Sequence, residues 1–235
     1  MVRQPVHTPT RLFVLEPPRD FDERYFATRD EAHMKWRSHP CSVYGRVLEG
    51  RESSLAVTDL PSLREHFLWT WIGDILGDEH VRNAFQQARL TGYVFRDVDI
   101  LTGSVWSPST RLYELNATGF AGFARIDEGV SLTSWCDDCK VYSYRFRAPI
   151  SRLLDMGKWD GSDLFRMWPV TWTLCTERVR DVIAEHSLSG IAAVPIEELD
   201  VPNLQFSPGA PSESLTNAAL DRLRADSDYI LAVRP

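Results

Sequence analysis

Four cysteines carry the most specific chemical signal in the chain. Cys136-Asp137-Asp138-Cys139 sets two thiols two residues apart, a spacing that lets both grip one tetrahedral ion from a tight turn. A zinc ribbon needs a second such turn. The first half of the chain offers Pro40-Cys41-Ser42-Val43-Tyr44-Gly45, with Tyr44 standing where the second thiol belongs. The expected zinc set is therefore Cys41, Cys136 and Cys139, with His39 or His33 as the fourth ligand, since imidazole suits zinc. The competing expectation is a loop held by packing alone. Cys175 directly precedes a helix start and reads as a core residue.

The other reactive side chains compose no catalytic motif. There is no phosphate-binding G-x-x-x-x-G-K-[ST], no G-x-G-x-x-G after a strand, no G-x-S-x-G and no H-E-x-x-H. A zinc deaminase would need H-x-E ahead of P-C-x-x-C, and no histidine here is followed by x-Glu. His66, His80 and His186 are scattered in or near helical stretches and read as surface or packed side chains. The acidic groups Asp127-Glu128, Asp137-Asp138 and Glu197-Glu198-Asp200 read as solvated turns. The expectation is a protein that is not an enzyme.

The elements that must position the cysteines follow from periodicity. Residues 11–16 read as a strand ended by Pro17-Pro18, residues 20–60 as irregular, and 62–76 as a helix or buried irregular structure around Trp69-Thr70-Trp71. Asp78 caps a helix over 79–89 with an apolar stripe at Val81, Ala84, Phe85 and Ala88. Gly92 closes it as the residue after the C-cap, and 93–100 alternate as a strand. The phrase returns: Thr176 caps 177–187 with Val179, Val182 and Ile183, Gly190 ends it, and 191–199 is a strand. Glu79, Val81, Arg82, Leu90 and Gly92 recur as Glu177, Val179, Arg180, Leu188 and Gly190, each 98 positions later, which suggests related halves. Between them, 104–147 read as an antiparallel meander that continues into 140–147, and 163–175 as one strand leading into the second helix.

The expected fold is α+β: an antiparallel, β-rich sheet, two related helix–Gly–strand units around 79–100 and 177–199, and a degenerate zinc-ribbon-like cysteine loop. Residues 1–200 form one domain, and 201–235 a Pro/Gly linker with a helix over 213–225 docked on it.

Composition sets the class of partner. Of 235 residues, 43% are hydrophobic and 25% charged, an ordinary globular balance, and eight are tryptophan, enough to leave some for a binding surface. The net charge of −7, with no dense Lys/Arg run, argues against nucleic acid and suits a basic partner. No apolar run approaches the roughly 20 residues that span a bilayer, and the first residues lack a signal-peptide core. The expectation is a cytoplasmic protein with reduced thiols and no membrane partner.

The stretch Ala32-His33-Met34-Lys35-Trp36-Arg37 followed by Pro40-Cys41-x-x-Tyr44-Gly45 resembles the opening of the double-CxxCG motif proteins, known mainly from myxobacteria and including immunity proteins of the SitI type. The later order is also similar: a helix–Gly–strand unit, a β region, Cys136 and Cys139, then Asp163-Leu164-Phe165-Arg166, and Thr176-Glu177-Arg178 with Gly190 before the last strand. The resemblance covers roughly residues 11–200, and departs from the pattern at Tyr44 for a cysteine and Lys140 for a glycine. It implies an immunity protein that binds and neutralises a cognate polymorphic toxin delivered between cells, by covering its active face or locking it inactive. Trp106, Trp135, Asp137 and Asp138, around an acidic, aromatic-bearing loop, are then the expected toxin contacts. The alternative is a zinc-ribbon-like interaction or regulatory module outside any toxin system.

Overall fold

Strand-forming residues broken at short intervals by Gly, Pro and Asp leave room for few helices, and those present are short. A computed structural model describes residues 11–18, 26–42, 45–60, 65–101, 111–136, 142–170, 172–199, 205–209, 221 and 223. In chain order the elements are β1 (Leu12–Glu16), β2 (Phe26–Arg29), β3 (Trp36–Cys41), β4 (Gly45–Arg51), β5 (Leu55–Thr58), β6 (Phe67–Thr70) and β7 (Ile75–Asp78). Then come α1 (Glu79–Gln87), β8 (Tyr93–Ile100), β9 (Leu112–Ala117), β10 (Gly119–Phe123), β11 (Val130–Trp135), β12 (Tyr142–Phe146) and α2 (Ile150–Leu153). The series closes with β13 (Leu164–Trp168), β14 (Leu174–Thr176), α3 (Glu177–Glu185), β15 (Ala192–Pro195) and β16 (Gln205–Gly209). The protein is α+β, strand-rich, with mostly antiparallel pairing. No helix among the described residues is long and apolar enough to cross a membrane.

Five strands form a sheet in the order β10-β13-β14-β1-β15, and six close a barrel in the order β2-β5-β8-β9-β7-β6. A third sheet is β11-β12-β16, and β3-β4 is a separate hairpin. One pattern runs through both large sheets. β9 lies antiparallel between β7 and β8, as β1 lies between β14 and β15. Leu112 faces Asp78 as Leu12 faces Thr176. β2 runs parallel beside β6, as β10 runs parallel beside β13. The chain therefore builds the same five-strand arrangement twice. Each half lends its first strand to the sheet of the other: β1 joins β14 and β15, and β9 joins β7 and β8.

The halves lock through their helix–Gly turns. After α1, the chain turns at Arg89 (φ 51°) and Gly92 (φ 78°); after α3, at Ser187 (φ 50°) and Gly190 (φ 83°). The left-handed residue closing each helix is thus Arg89 or Ser187, not the glycine expected there. The glycines serve the neighbouring half instead. A Cβ on Gly92 would stand 2.1 Å from the Leu164 carbonyl oxygen, and one on Gly190 2.2 Å from that of Phe67. The approach lets Leu164 N donate to Thr91 O and Phe67 N to Ser189 O, each at 3.0 Å. Asp163 N donates to Thr91 Oγ1 and His66 N to Ser189 Oγ in the same relation.

Several local expectations are corrected by these long-range demands. Residues 26–58 carry four strands where irregular structure was expected, because β2 and β5 complete the barrel and β3-β4 form a hairpin. The 67–78 stretch is the β6-β7 hairpin, not a helix. The 104–147 region is not one meander: β9 joins the barrel, β10 the five-stranded sheet, and β11-β12 the third. The stretch 163–175 is two antiparallel strands, β13 and β14. Residues 205–209, expected as linker, pair with β12. Asp78 caps α1 by accepting from Val81 N at 3.0 Å, but Thr176 makes no side-chain cap on α3. Its hydroxyl instead donates to the buried carboxylate of Asp163. Of the expected C-terminal helix, Asp221 and Leu223 are helical and Leu223 is buried in the largest apolar cluster; the rest lies outside the described residues.

Candidate functional site

The two cysteine motifs occupy equivalent places, one ending β3 and one following β11, and the fold brings them together. Cys41 Sγ and Cys136 Sγ are 3.7 Å apart and buried, although 95 positions separate them. Among the described residues neither forms a disulfide. Cys139, Asp137, Asp138, Trp106 and Tyr44 lie outside the described residues, as does the side chain of His39, whose backbone pairs with Val47. His33 is exposed, and its Nδ1 is 2.9 Å from Asp30 Oδ2. Among the described residues no three potential ligands converge. Trp135 is half-buried, pairs with Tyr142 in β12 and packs on the core. Cys175 is fully buried, and burial pushes its thiol well above the ordinary range, with the Asp163 carboxylate acting in the same direction.

A second site is one the sequence does not announce. Both halves line a groove of about 660 Å³, within the range of ligand-sized clefts. Leu15 and Glu16 of β1 line it together with Leu115 and Asn116 of β9, the strands that the two halves exchange. Trp69 of β6 lines it with Arg166 of β13, the corresponding strand of the second half.

The aromatic side of the groove is held rigidly. The β6-β7 turn closes through Thr70 N to Asp74 O at 3.0 Å and Gly73 N to Thr70 O at 2.9 Å, with Thr70 Oγ1 donating to Asp74 Oδ2 at 2.8 Å. Trp69 Nε1 donates to Gly190 O at 2.9 Å, which satisfies its polar atom while the ring is buried. Trp71 stacks on Phe26 at 4.4 Å between centroids and 14° between planes. Even so, Trp71 is 60% exposed and Ile72, next to it, 61% exposed.

The charges around the groove are unevenly paired. Asp74 faces Arg29 at 3.6 Å, and Arg29 also lies over the Trp36 ring at 4.6 Å. Glu114 and Arg51 form a buried ion pair. The Arg166 side chain makes no hydrogen bond or contact ion pair with the described residues. Arg166 is nonetheless exposed at the groove wall; partial desolvation draws its guanidinium below the ordinary arginine value, while Glu114 and Asp74 act in the opposite direction from longer range.

Three of the histidines that look scattered in sequence meet in space. The His66 and His80 rings are 5.0 Å apart, and His80 and His186 6.1 Å. Ser189 N donates to His66 Nδ1 at 3.1 Å, so that nitrogen is an acceptor and the ring proton sits on Nε2. That arrangement ties His66 to the interhalf turn and leaves it no free lone pair for a metal.

The cysteine meeting was legible from motif equivalence. The groove was not, because Trp69-Thr70-Trp71 reads as continuous burial. The usable signal was the turn-forming Gly73-Asp74 just beyond Ile72, which makes 67–78 a hairpin and carries Trp71 and Ile72 to its tip. The chain matches no protein-family model and no curated protein.

Proposed function

We propose that the protein is an immunity-type binder that neutralises a cognate contact-delivered bacterial toxin by stoichiometric contact. The observation carrying this reading is the apolar corner at the β6-β7 turn. Among the described residues four large apolar side chains are exposed, Trp71, Ile72, Val94 and Met156, and two of them are adjacent at this one turn. An exposed tryptophan on a rigid turn beside a groove is the usual form of a protein-binding anchor. The resemblance in motif order to double-CxxCG proteins supports the toxin-neutralising role, and the net charge of −7 favours encounter with a basic partner. Trp106, Trp135, Asp137 and Asp138 are proposed as further toxin contacts.

The cysteine geometry favours a second reading, a zinc-ribbon-like interaction module outside toxin systems. Two thiolates at ~2.3 Å from one tetrahedral zinc stand about 3.8 Å apart. The 3.7 Å between Cys41 and Cys136 fits that requirement. Cys41 and Cys136 would hold the ion, with Cys139 and His39 as proposed further ligands, and its chemistry would be structural, joining the two hairpins.

Co-expression with the product of the neighbouring gene tests the first reading. The expected result is growth rescue and a 1:1 complex in a pull-down, both weakened by Trp71→Ala combined with Ile72→Ser. Absence of rescue and of complex with the wild-type protein overturns it in favour of the second.

A further inference from the structure

The unpaired arginine, the exposed apolar turn and the groove between them specify what the partner must bring. Arg29 and Arg51 near the groove already have carboxylate partners in Asp74 and Glu114, so neither offers an unused charge. Arg166 lines the same groove without a contact partner among the described residues. Arg166 is exposed, so it is open to a partner, and a guanidinium is shaped to take a carboxylate with two parallel hydrogen bonds. Trp71 and Ile72 line the same groove and offer an apolar contact whose faces are largely exposed. A small molecule within the groove would leave those faces uncovered; a protein surface covers them and fills the groove at once.

We propose that the groove receives a protein segment in which a carboxylate side chain adjoins an aromatic or large aliphatic one, the carboxylate seated on Arg166 and the apolar group on Trp71 and Ile72. This rests on the binding role proposed above and names the chemistry of its partner. The overall negative charge acts over distance on the whole partner, whereas Arg166 reads one local group, so a basic partner presenting one such acid satisfies both. The site draws on both halves, and the exchange of equivalent residues makes it asymmetric. Trp69 and Arg166 occupy corresponding strands, so one half contributes the ring and the other the charge.

The test uses the full chain and two synthetic peptides, acetyl-Gly-Phe-Asp-Gly-amide and its Phe-Asn counterpart, followed through the tryptophan indole resonances. The aspartate peptide should move the Trp71 indole signal and bind at least fivefold more tightly than the asparagine peptide. Arg166→Gln should abolish that difference while leaving the remaining indole spectrum, and hence the fold, unchanged. Trp71→Ala should weaken both peptides alike. Equal binding of the two peptides, an undiminished difference in Arg166→Gln, or no binding up to the solubility limit overturns the proposal. The same variants in the toxin co-expression assay separate the two levels. Rescue by wild type that Arg166→Gln leaves untouched sinks the carboxylate seat but not the immunity role. Peptide discrimination without any rescue sinks the immunity role but not the seat.

Discussion

Gly190→Ala measures how tightly the two halves hold one another. Gly190 sits at φ 83°, and a Cβ there would lie 2.2 Å from the Phe67 carbonyl oxygen and 3.0 Å from Glu65 Cβ. The conformation alone costs an alanine about 1–2 kcal/mol. The contact cannot be relieved by rotating a side chain, because the nearest atom belongs to backbone. The turn must draw away from β6, and the hydrogen bonds from Phe67 N to Ser189 O (3.0 Å) and from Trp69 Nε1 to Gly190 O (2.9 Å) stretch with it. Each contributes about 1 kcal/mol net. The whole loss is therefore about 3–4 kcal/mol, against total stabilities of roughly 5–15 kcal/mol. Gly161→Ala supplies the control: it has φ 84° with nothing within 4 Å of the added Cβ, so it should lose only about 1–2 kcal/mol. Urea unfolding followed by far-UV circular dichroism gives both values. The reasoning is refuted if the two variants lose the same stability within about 0.5 kcal/mol, because the interhalf contact would then contribute nothing.

Other outcomes follow from charges and thiols. Arg51→Met alone should cost about 3–5 kcal/mol in the same assay, since it strands the buried Glu114 carboxylate, and adding Glu114→Leu should recover most of it. Asp163→Ala should cost a similar amount, because the carboxylate accepts from Thr91 N at 2.9 Å, Thr176 Oγ1 at 3.0 Å and Arg178 Nη1 at 2.8 Å; an unchanged midpoint would contradict that role. Cys175 should stay unmodified by a maleimide at pH 8 in the folded protein and react on unfolding, because burial pushes its thiol upward. Metal analysis of the purified protein should find zinc that Cys136→Ser removes; equal zinc in wild type and variant would leave the thiol pair without a metal role.

What was legible in the sequence was local. Asp78 ahead of Glu79 and the stripe at Val81, Ala84 and Phe85 fix α1 because capping and amphipathic spacing are properties of adjacent residues. The recurrence of that phrase at 177–190 was equally readable. The strand partners were not. Nothing near Leu12 shows that it will face Thr176, and the parallel pairings of β2 with β6 and β10 with β13 depend on contacts between distant segments. Thr176 shows the same limit at one residue: its type suits a helix cap, but the buried Asp163 claims its hydroxyl. At the candidate sites, the equivalence of Cys41 and Cys136 could be read from their motifs, whereas the cation at Arg166 emerges only from knowing which other arginines are already paired.

The exchange of first strands bears on how the chain is made. β1 leaves the ribosome well before both of its sheet neighbours, β14 and β15, which lie some 160–180 positions later. At ~5–20 residues per second, Leu12 to Glu16 wait on the order of 10–30 s with their apolar side chains unsheltered. Neither half can close its sheet from its own sequence, so a polypeptide stopped after β8 carries an orphan strand and lacks the one that β9 would have supplied. Synthesis through β15 is thus the condition for completing the five-stranded sheet, and products cut short before it are the forms exposed to aggregation and proteolysis.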